Sequence, residues 1–190
     1  MPEPDLDAAK QTLLAELREH SLVIGEVTLS SGATAQYYVD ARRALLRPAA
    51  FRAVGELIAA AATDAGATAV GGPVMAAIPL ACAAIAVPGG DDLVGFFVRK
   101  ERKEHGLQRW VEGPVGPGTR CLVVEDTVTT GGSTAAAVER IREEGLEIAG
   151  VLSVVDRLAG GDGAIEAAAE APYRALVTID DLYPDRPDRG

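Results

Sequence analysis

Apolar positions along this chain change their spacing several times, and each change marks an element. Leu6, Leu13, Leu14 and Leu17 recur at roughly helical intervals between Leu6 and Arg18, which predicts an amphipathic N-terminal helix. From Gly25 to Val39 the pattern shortens to strands about a polar turn at Ser30-Ser31-Gly32, and Tyr37-Tyr38-Val39 is its most strand-like part. Pro48 can open a helix that runs through Phe51, Val54, Leu57 and Ile58. Beyond it, short apolar runs alternate with helical ones. Strands are predicted at Thr68 to Gly72, Leu93 to Val98, Arg120 to Val124, Ile148 to Val155 and Ala175 to Ile179. Helices are predicted at Ile78 to Ala86, Ala135 to Glu144 and Ile165 to Ala171. This alternation implies an α/β fold, an open and mostly parallel sheet flanked by helices, with ligands at the C-terminal ends of the strands. Residues 1 to about 50 fit the alternation poorly and are expected to form a small cap, or hood, within a single domain spanning 1–190.

Composition narrows the class. Hydrophobic residues make up 48% of the 190, as in a globular protein, and no apolar run reaches the ~18 residues needed to cross a membrane. The first residues are acidic where a signal peptide would be basic and then apolar. Cys82 and Cys121 sit in apolar contexts and read as buried thiols of a reducing compartment. A cytoplasmic protein is expected. The formal net charge of −10 argues against nucleic acid as a partner. Against that background the segment from Arg99 to Arg109, with Lys100, Arg102 and Lys103, is locally basic and suits a small polyanion. It lacks the apolar periodicity of a packed element and is long, as functional loops inside compact domains are.

The densest chemistry lies in Cys121-Leu-Val-Val-Glu-Asp-Thr-Val-Thr-Thr-Gly-Gly-Ser-Thr134. An apolar strand runs into two acids, then into hydroxyls and glycines, then into a helix. Unpaired amides at a helix start, at the positive end of its dipole, suit a phosphate. Gly131 and Gly132 let the backbone approach it, and Thr129, Thr130, Ser133 and Thr134 offer hydroxyls. Glu125 and Asp126 would repel a phosphate, so accepting from sugar hydroxyls, with a metal nearby, is their better use. The ligand suggested is a phosphorylated sugar. An ordinary strand–turn–helix junction also uses acids, Thr and Gly, but seldom so densely. The segment lacks the Gly-Lys-Ser/Thr ending of a Walker A loop and the spacing of a dinucleotide turn.

This motif resembles the phosphoribosyl-diphosphate motif of the type I phosphoribosyltransferases. Arg99-Lys-Glu-Arg-Lys-Glu-His-Gly106 is similar to the flexible catalytic loop of the orotate-using branch of that family. Leu29-Ser-Ser-Gly, with Tyr37-Tyr-Val-Asp40, resembles its early hairpin, and Val155-Asp-Arg157 its orotate-pairing arginine. The resemblance implies the type I phosphoribosyltransferase fold and orotate and phosphoribosyl diphosphate as substrates, with Mg²⁺ bridged by the pyrophosphate and no protein ligand to it assigned. It implies Lys103 and His105 as catalytic, and Arg99, Lys100, Lys103, His105, Glu125, Asp126, Thr127, Val128, Thr129, Thr130, Gly131, Gly132 and Ser133 on phosphoribosyl diphosphate. Thr129, Arg157, Tyr37 and Tyr38 would meet orotate, and a guanidinium fork suits a planar, carboxylated base. A homodimer sharing loop residues across its interface is implied as well. Two departures bear on rate: Ser30 where many members have lysine, and Met75, Ala76 and Ala77 in the pyrophosphate loop, whose side chains are expected to crowd an anion. Two rivals stay open: transfer to another base, and a regulator of the same fold that has lost turnover. The Lys/His loop and Arg157 count against a purine enzyme, and the acidic balance counts against RNA. His20 and Trp110 read as a helix-end residue and a packing anchor.

Overall fold

The computed structural model describes residues 4–28, 34–102 and 109–189. Helix α1, Leu6–His20, begins where the Asp5 carboxylate accepts a hydrogen bond from the Ala8 amide at 3.0 Å. That satisfies one of the amides a helix start leaves unpaired. Its buried face, Ala9, Leu13 and Leu17, recurs every four residues and packs on α3, Pro48–Asp64. Strands β1, Leu22–Thr28, and β2, Thr34–Val39, pair antiparallel as a separate ribbon, with Ile24 opposite Tyr37 and Val23 opposite Tyr38. The short helix α2, Arg42–Leu45, joins this ribbon to α3.

The remaining strands form one six-stranded sheet. They are β3, Ala69–Pro73; β4, Val94–Val98; β5, Val111–Glu112; β6, Arg120–Val128; β7, Glu147–Asp156; and β8, Tyr173–Thr178. Their order is β5-β4-β3-β6-β7-β8, parallel throughout except for β5, which pairs antiparallel with β4 at the edge. Helices α4, Ala77–Ile85, α5, Gly132–Glu143, and α6, Asp162–Ala169, are the crossovers, and α7, Ile179–Leu182, follows β8. Buried on both sides, the strands must be apolar on both. Val70, Leu122, Val124, Leu152 and Val177 share one core with α1, α3 and α4, while Phe96, Cys121, Val123 and Val151 share another with α5 and α6. Each fully buried Val or Leu adds about 2 kcal/mol to folding before entropy is counted.

Several boundaries differ from the sequence expectation, and the differences matter for the site. Strand β6 continues past Val124 to Val128, because its parallel neighbour keeps pairing: Glu125 lies opposite Ser153 and Val128 opposite Asp156. Helix α5 starts at Gly132, earlier than Ala135. The elements α2, β5 and α7 were not expected. Cys121 is buried as expected, but Cys82 is exposed, on the outer face of α4.

Candidate active site

Neighbouring residues of a strand start toward different sides, so Glu125 and Asp126 meet different surroundings, although their carboxylates stay close enough to interact. Glu125 is buried under the first turn of α5, where its carboxylate accepts from Thr134 Oγ1 at 3.3 Å and from the Asp126 amide at 3.2 Å. Asp126 lines a cavity of about 370 Å³ that it shares with Tyr38, Asp40, Arg42, Lys100 and Arg157. Its Oδ2 lies 3.9 Å from Arg42 Nε, which also holds Asp40 Oδ1 at 3.0 Å. Burial, reinforced by the Asp126 charge, pushes Glu125 up to about 8. Burial raises Asp126 too, against the pull of the Thr127 amide and Arg42.

The phosphate loop is shaped by two glycines. Gly131 caps α5 at φ 75°, in the left-handed region. A Cβ there would lie 2.5 Å from Gly161 O, and one on Gly161 would lie 2.8 Å from both Gly131 N and Thr129 O. The loop before α6 thus packs directly on the phosphate loop. Gly131 O accepts the first helical bond, from Ala135 N at 2.8 Å, so the amides of Gly132, Ser133 and Thr134 come before the helical ladder begins. Thr129 and Thr130 are exposed at the mouth, and Thr127 and Thr129 line the cavity. The Val128 side chain is buried in the core, so only its backbone is near the loop, and its carbonyl accepts from Arg157 N at 2.9 Å.

Arg157 leaves β7 on a turn held by Asp156, whose Oδ1 accepts from Leu158 N at 2.7 Å and whose Oδ2 accepts from Tyr173 OH at 3.1 Å. The Arg157 guanidinium carbon sits 5.4 Å from the centre of the Tyr37 ring. Its Nε is buried with no hydrogen-bond partner among the described residues. Tyr38 lines the cavity; Tyr37, only 3% exposed, lies beneath Arg157 instead.

The basic segment divides. Lys100 lines the cavity, whereas Arg99 Nη1 lies 3.6 Å from Glu112 and the Arg99 carbonyl accepts from Arg140 Nη1 at 3.1 Å. Lys103 and His105 lie outside the described residues, as does Ser30. Trp110 holds the loop's base on α5: its Nε1 donates to Glu143 at 3.0 Å, and Arg140 and Arg102 lie 4.3 Å and 5.2 Å from its ring centre. The expected crowding at Met75, Ala76 and Ala77 takes a different form. Ala77 faces the core, and Met75, 77% exposed, and Ala76 border the cavity. His20, in the last turn of α1, lies 3.8 Å from Glu16 and 3.6 Å from Glu19.

Sequence reasoning missed Arg42 and gave Asp40 no role. The available signal was the charged run Asp40-Ala-Arg42-Arg43 directly after the Tyr37–Val39 strand, since residues at strand ends reach the ligand edge.

Comparison with known proteins agrees with this geometry. Residues 42–165 match the model of the phosphoribosyl transferase domain. The chain is 48% identical over 183 residues to an orotate phosphoribosyltransferase of Corynebacterium glutamicum, covering 96% of this chain and 98% of that one. A Mycobacterium tuberculosis H37Rv orotate phosphoribosyltransferase in complex with Fe(III) dicitrate superposes at TM-score 0.82, with 43% identity over 92% of this chain and 98% of that one. The same organism's enzyme in complex with 5-phospho-α-D-ribosyl 1-diphosphate superposes at 0.78, with 38% identity and the same coverage. With two acids at the end of one strand, a glycine-shaped phosphate loop after them, and Asp126 and Arg157 lining one cavity, this chain belongs to the phosphoribosyltransferases, in the orotate phosphoribosyltransferase family.

Proposed function

We propose that this chain transfers the ribose 5-phosphate group of phosphoribosyl diphosphate to N1 of orotate, giving orotidine 5′-monophosphate and pyrophosphate, in pyrimidine nucleotide synthesis. The observation that carries the reading is the convergence of Asp126, Thr127, Thr129 and Arg157 on one cavity at the C-terminal ends of β6 and β7, from which the chain runs on through Gly131 into α5. In the reaction, N1 of orotate attacks the anomeric carbon as the bond to pyrophosphate breaks. Positive charge grows on the ribose ring and negative charge on the leaving group, so catalysis is positioning and electrostatic stabilisation.

In this reading the amides from Thr130 to Ser133 hold the 5′-phosphate, and Thr127 and the Val128 backbone shape the loop. Asp126 accepts from the ribose hydroxyls, with Glu125 behind it carrying the α5 turn through Thr134. Thr129, Arg157 and Tyr38 meet orotate, and Tyr37 supports Arg157. Lys100, Lys103 and His105 neutralise the pyrophosphate, and Arg99 joins them by leaving Glu112. The carboxylates of Asp40 and Asp126 border the cavity, which fits a Mg²⁺ that takes the rest of its oxygen ligands from substrate and water. When bound, the metal would offset the charge of the pyrophosphate.

The reading takes the chain as a single domain, 1–190, in which residues up to about 50 supply the hood; β2 brings Tyr38 to the cavity while α1 packs in the main core. A homodimer sharing loop residues is part of it. In support, Ile78 and Ile85 are exposed apolar residues seven apart on α4, and no charged residue lies between Asp64 and Asp91. The cytoplasm is the proposed compartment, supported by two unpaired thiols. Among the described residues no helix is long and apolar enough to cross a membrane, and the net charge of −10 disfavours nucleic acid.

Incubated with orotate, phosphoribosyl diphosphate and Mg²⁺, the protein is expected to consume orotate and release one pyrophosphate for each orotate lost. Chelating the metal is expected to stop turnover. Pyrophosphate release without loss of orotate would contradict the proposed acceptor.

A further inference from the structure

The chain after α7 folds back onto the hairpin beside the substrate cavity. Arg186, with its side chain 12% exposed, joins two carboxylates: its Nε lies 2.8 Å from Asp180 Oδ1, and its Nη1 lies 3.0 Å from Asp188 Oδ1. The second oxygen of Asp188 accepts from Tyr37 OH at 3.0 Å. The Tyr37 ring meets Tyr183 edge-on, with centres 5.6 Å apart and planes at 86°. Its face lies under the Arg157 guanidinium at 5.4 Å. The tail is itself anchored, because α7 carries a capping box between Thr178 and Asp181, and Arg18 of α1 donates to the Asp181 carbonyl at 2.6 Å and 2.9 Å. A continuous chain of contacts therefore runs from Asp180 through Arg186, Asp188 and Tyr37 to Arg157.

The kind of support given to Arg157 is informative. Among the described residues no carboxylate pairs with its side chain, and the Tyr37 ring is what its guanidinium rests on. A carboxylate partner would occupy the N–H fork and compete with an anionic ligand. An aromatic face takes the flat side of the guanidinium and leaves the in-plane donors open. A platform of this kind works only if the ring is held still, since Arg otherwise loses much rotamer freedom on binding.

We propose that Asp188 and Arg186 are positioning residues for orotate: the C-terminal tail fixes the Tyr37 ring, and that ring pre-sets Arg157 for the carboxylated base. The inference rests on the assignment of Arg157 to orotate made above. It adds residues far along the chain, outside every motif that carried that assignment.

Steady-state kinetics of Asp188→Ala and Arg186→Ala in the full chain test it, alongside Arg157→Ala and the double variant Arg157→Ala/Asp188→Ala. Asp188→Ala is expected to raise KM for orotate about fivefold to tenfold, as for one lost hydrogen bond. KM for phosphoribosyl diphosphate and kcat should stay within about twofold of wild type. Asp188→Asn keeps an acceptor oxygen for Tyr37 OH and should restore most of the orotate affinity. The double variant should bind orotate no worse than Arg157→Ala alone, because the tail acts through that side chain. Asp188 is an exposed residue, so its variants are expected to melt close to wild type. An unchanged orotate KM in Asp188→Ala, an equal rise for both substrates, or full additivity in the double variant overturns the proposal while leaving the Arg157 assignment intact. An unchanged orotate KM in Arg157→Ala defeats that assignment, and the tail's role falls with it.

Discussion

Gly131→Ala is expected to lower kcat/KM for phosphoribosyl diphosphate by about a hundredfold or more, the scale of losing a preorganised anion contact. The backbone at Gly131 has φ 75°, and an added Cβ would meet Gly161 O at 2.5 Å and Ile165 Cγ1 at 2.9 Å. Both obstacles, the backbone of Gly161 and the buried Ile165, belong to packed structure, so the phosphate loop is what must move. Moving it turns the amides at the start of α5 away from the anion. Gly163→Ala, in the first turn of α6 and outside the phosphate loop, is the matched control, since a Cβ there meets nothing within 4 Å. It should bind substrate nearly as well as wild type. Equal effects at the two glycines would mean that the loop's shape is not what holds the phosphate.

Glu125→Gln is expected to make the protein more heat-stable, and increasingly so as pH rises. Burial and the neighbouring Asp126 push Glu125 from an ordinary 4.5 up to about 8. The folded state therefore holds this proton more tightly than the unfolded chain does. That contribution to stability is fully present below the ordinary carboxylate value and is lost as pH rises through 4.5 toward 8. Each pH unit in that window removes up to about 1.4 kcal/mol, which in a chain of this size corresponds to roughly 3–5 °C in Tm. Glutamine keeps the size and an acceptor for Thr134 Oγ1 but has no proton to lose. The gap in Tm between variant and wild type should thus widen between pH 5 and pH 8. Melting curves across that range measure it, and a constant gap would show that Glu125 titrates normally.

The acids and the phosphate loop could be read in sequence because their signals are local. Leu122 to Val124 is apolar and β-branched, and the glycines and threonines follow without interruption. The end of β6 could not be read in the same way. Glu125, Asp126 and Thr127 interrupt the apolar run, and only the continuing parallel partner, down to Val128 opposite Asp156, keeps them in the strand. That register is what sends one acid under α5 and the other into the cavity. Elements of two or four residues, β5, α2 and α7, are shorter than any period that could announce them. Cys82 was misjudged because an apolar context does not say which face of α4 packs. Arg42 and the Asp180–Arg186–Asp188 cluster look like solvated charge in the sequence, and their partners, Asp126 and Tyr37, come close only in the fold.

The most direct test of the central claim offers the protein a panel of bases, each with phosphoribosyl diphosphate and Mg²⁺, and follows loss of the base. With Arg157 facing the cavity and no carboxylate partner among the described residues, orotate should be consumed, and hypoxanthine, guanine and adenine should not. Turnover of any purine faster than orotate would contradict the account.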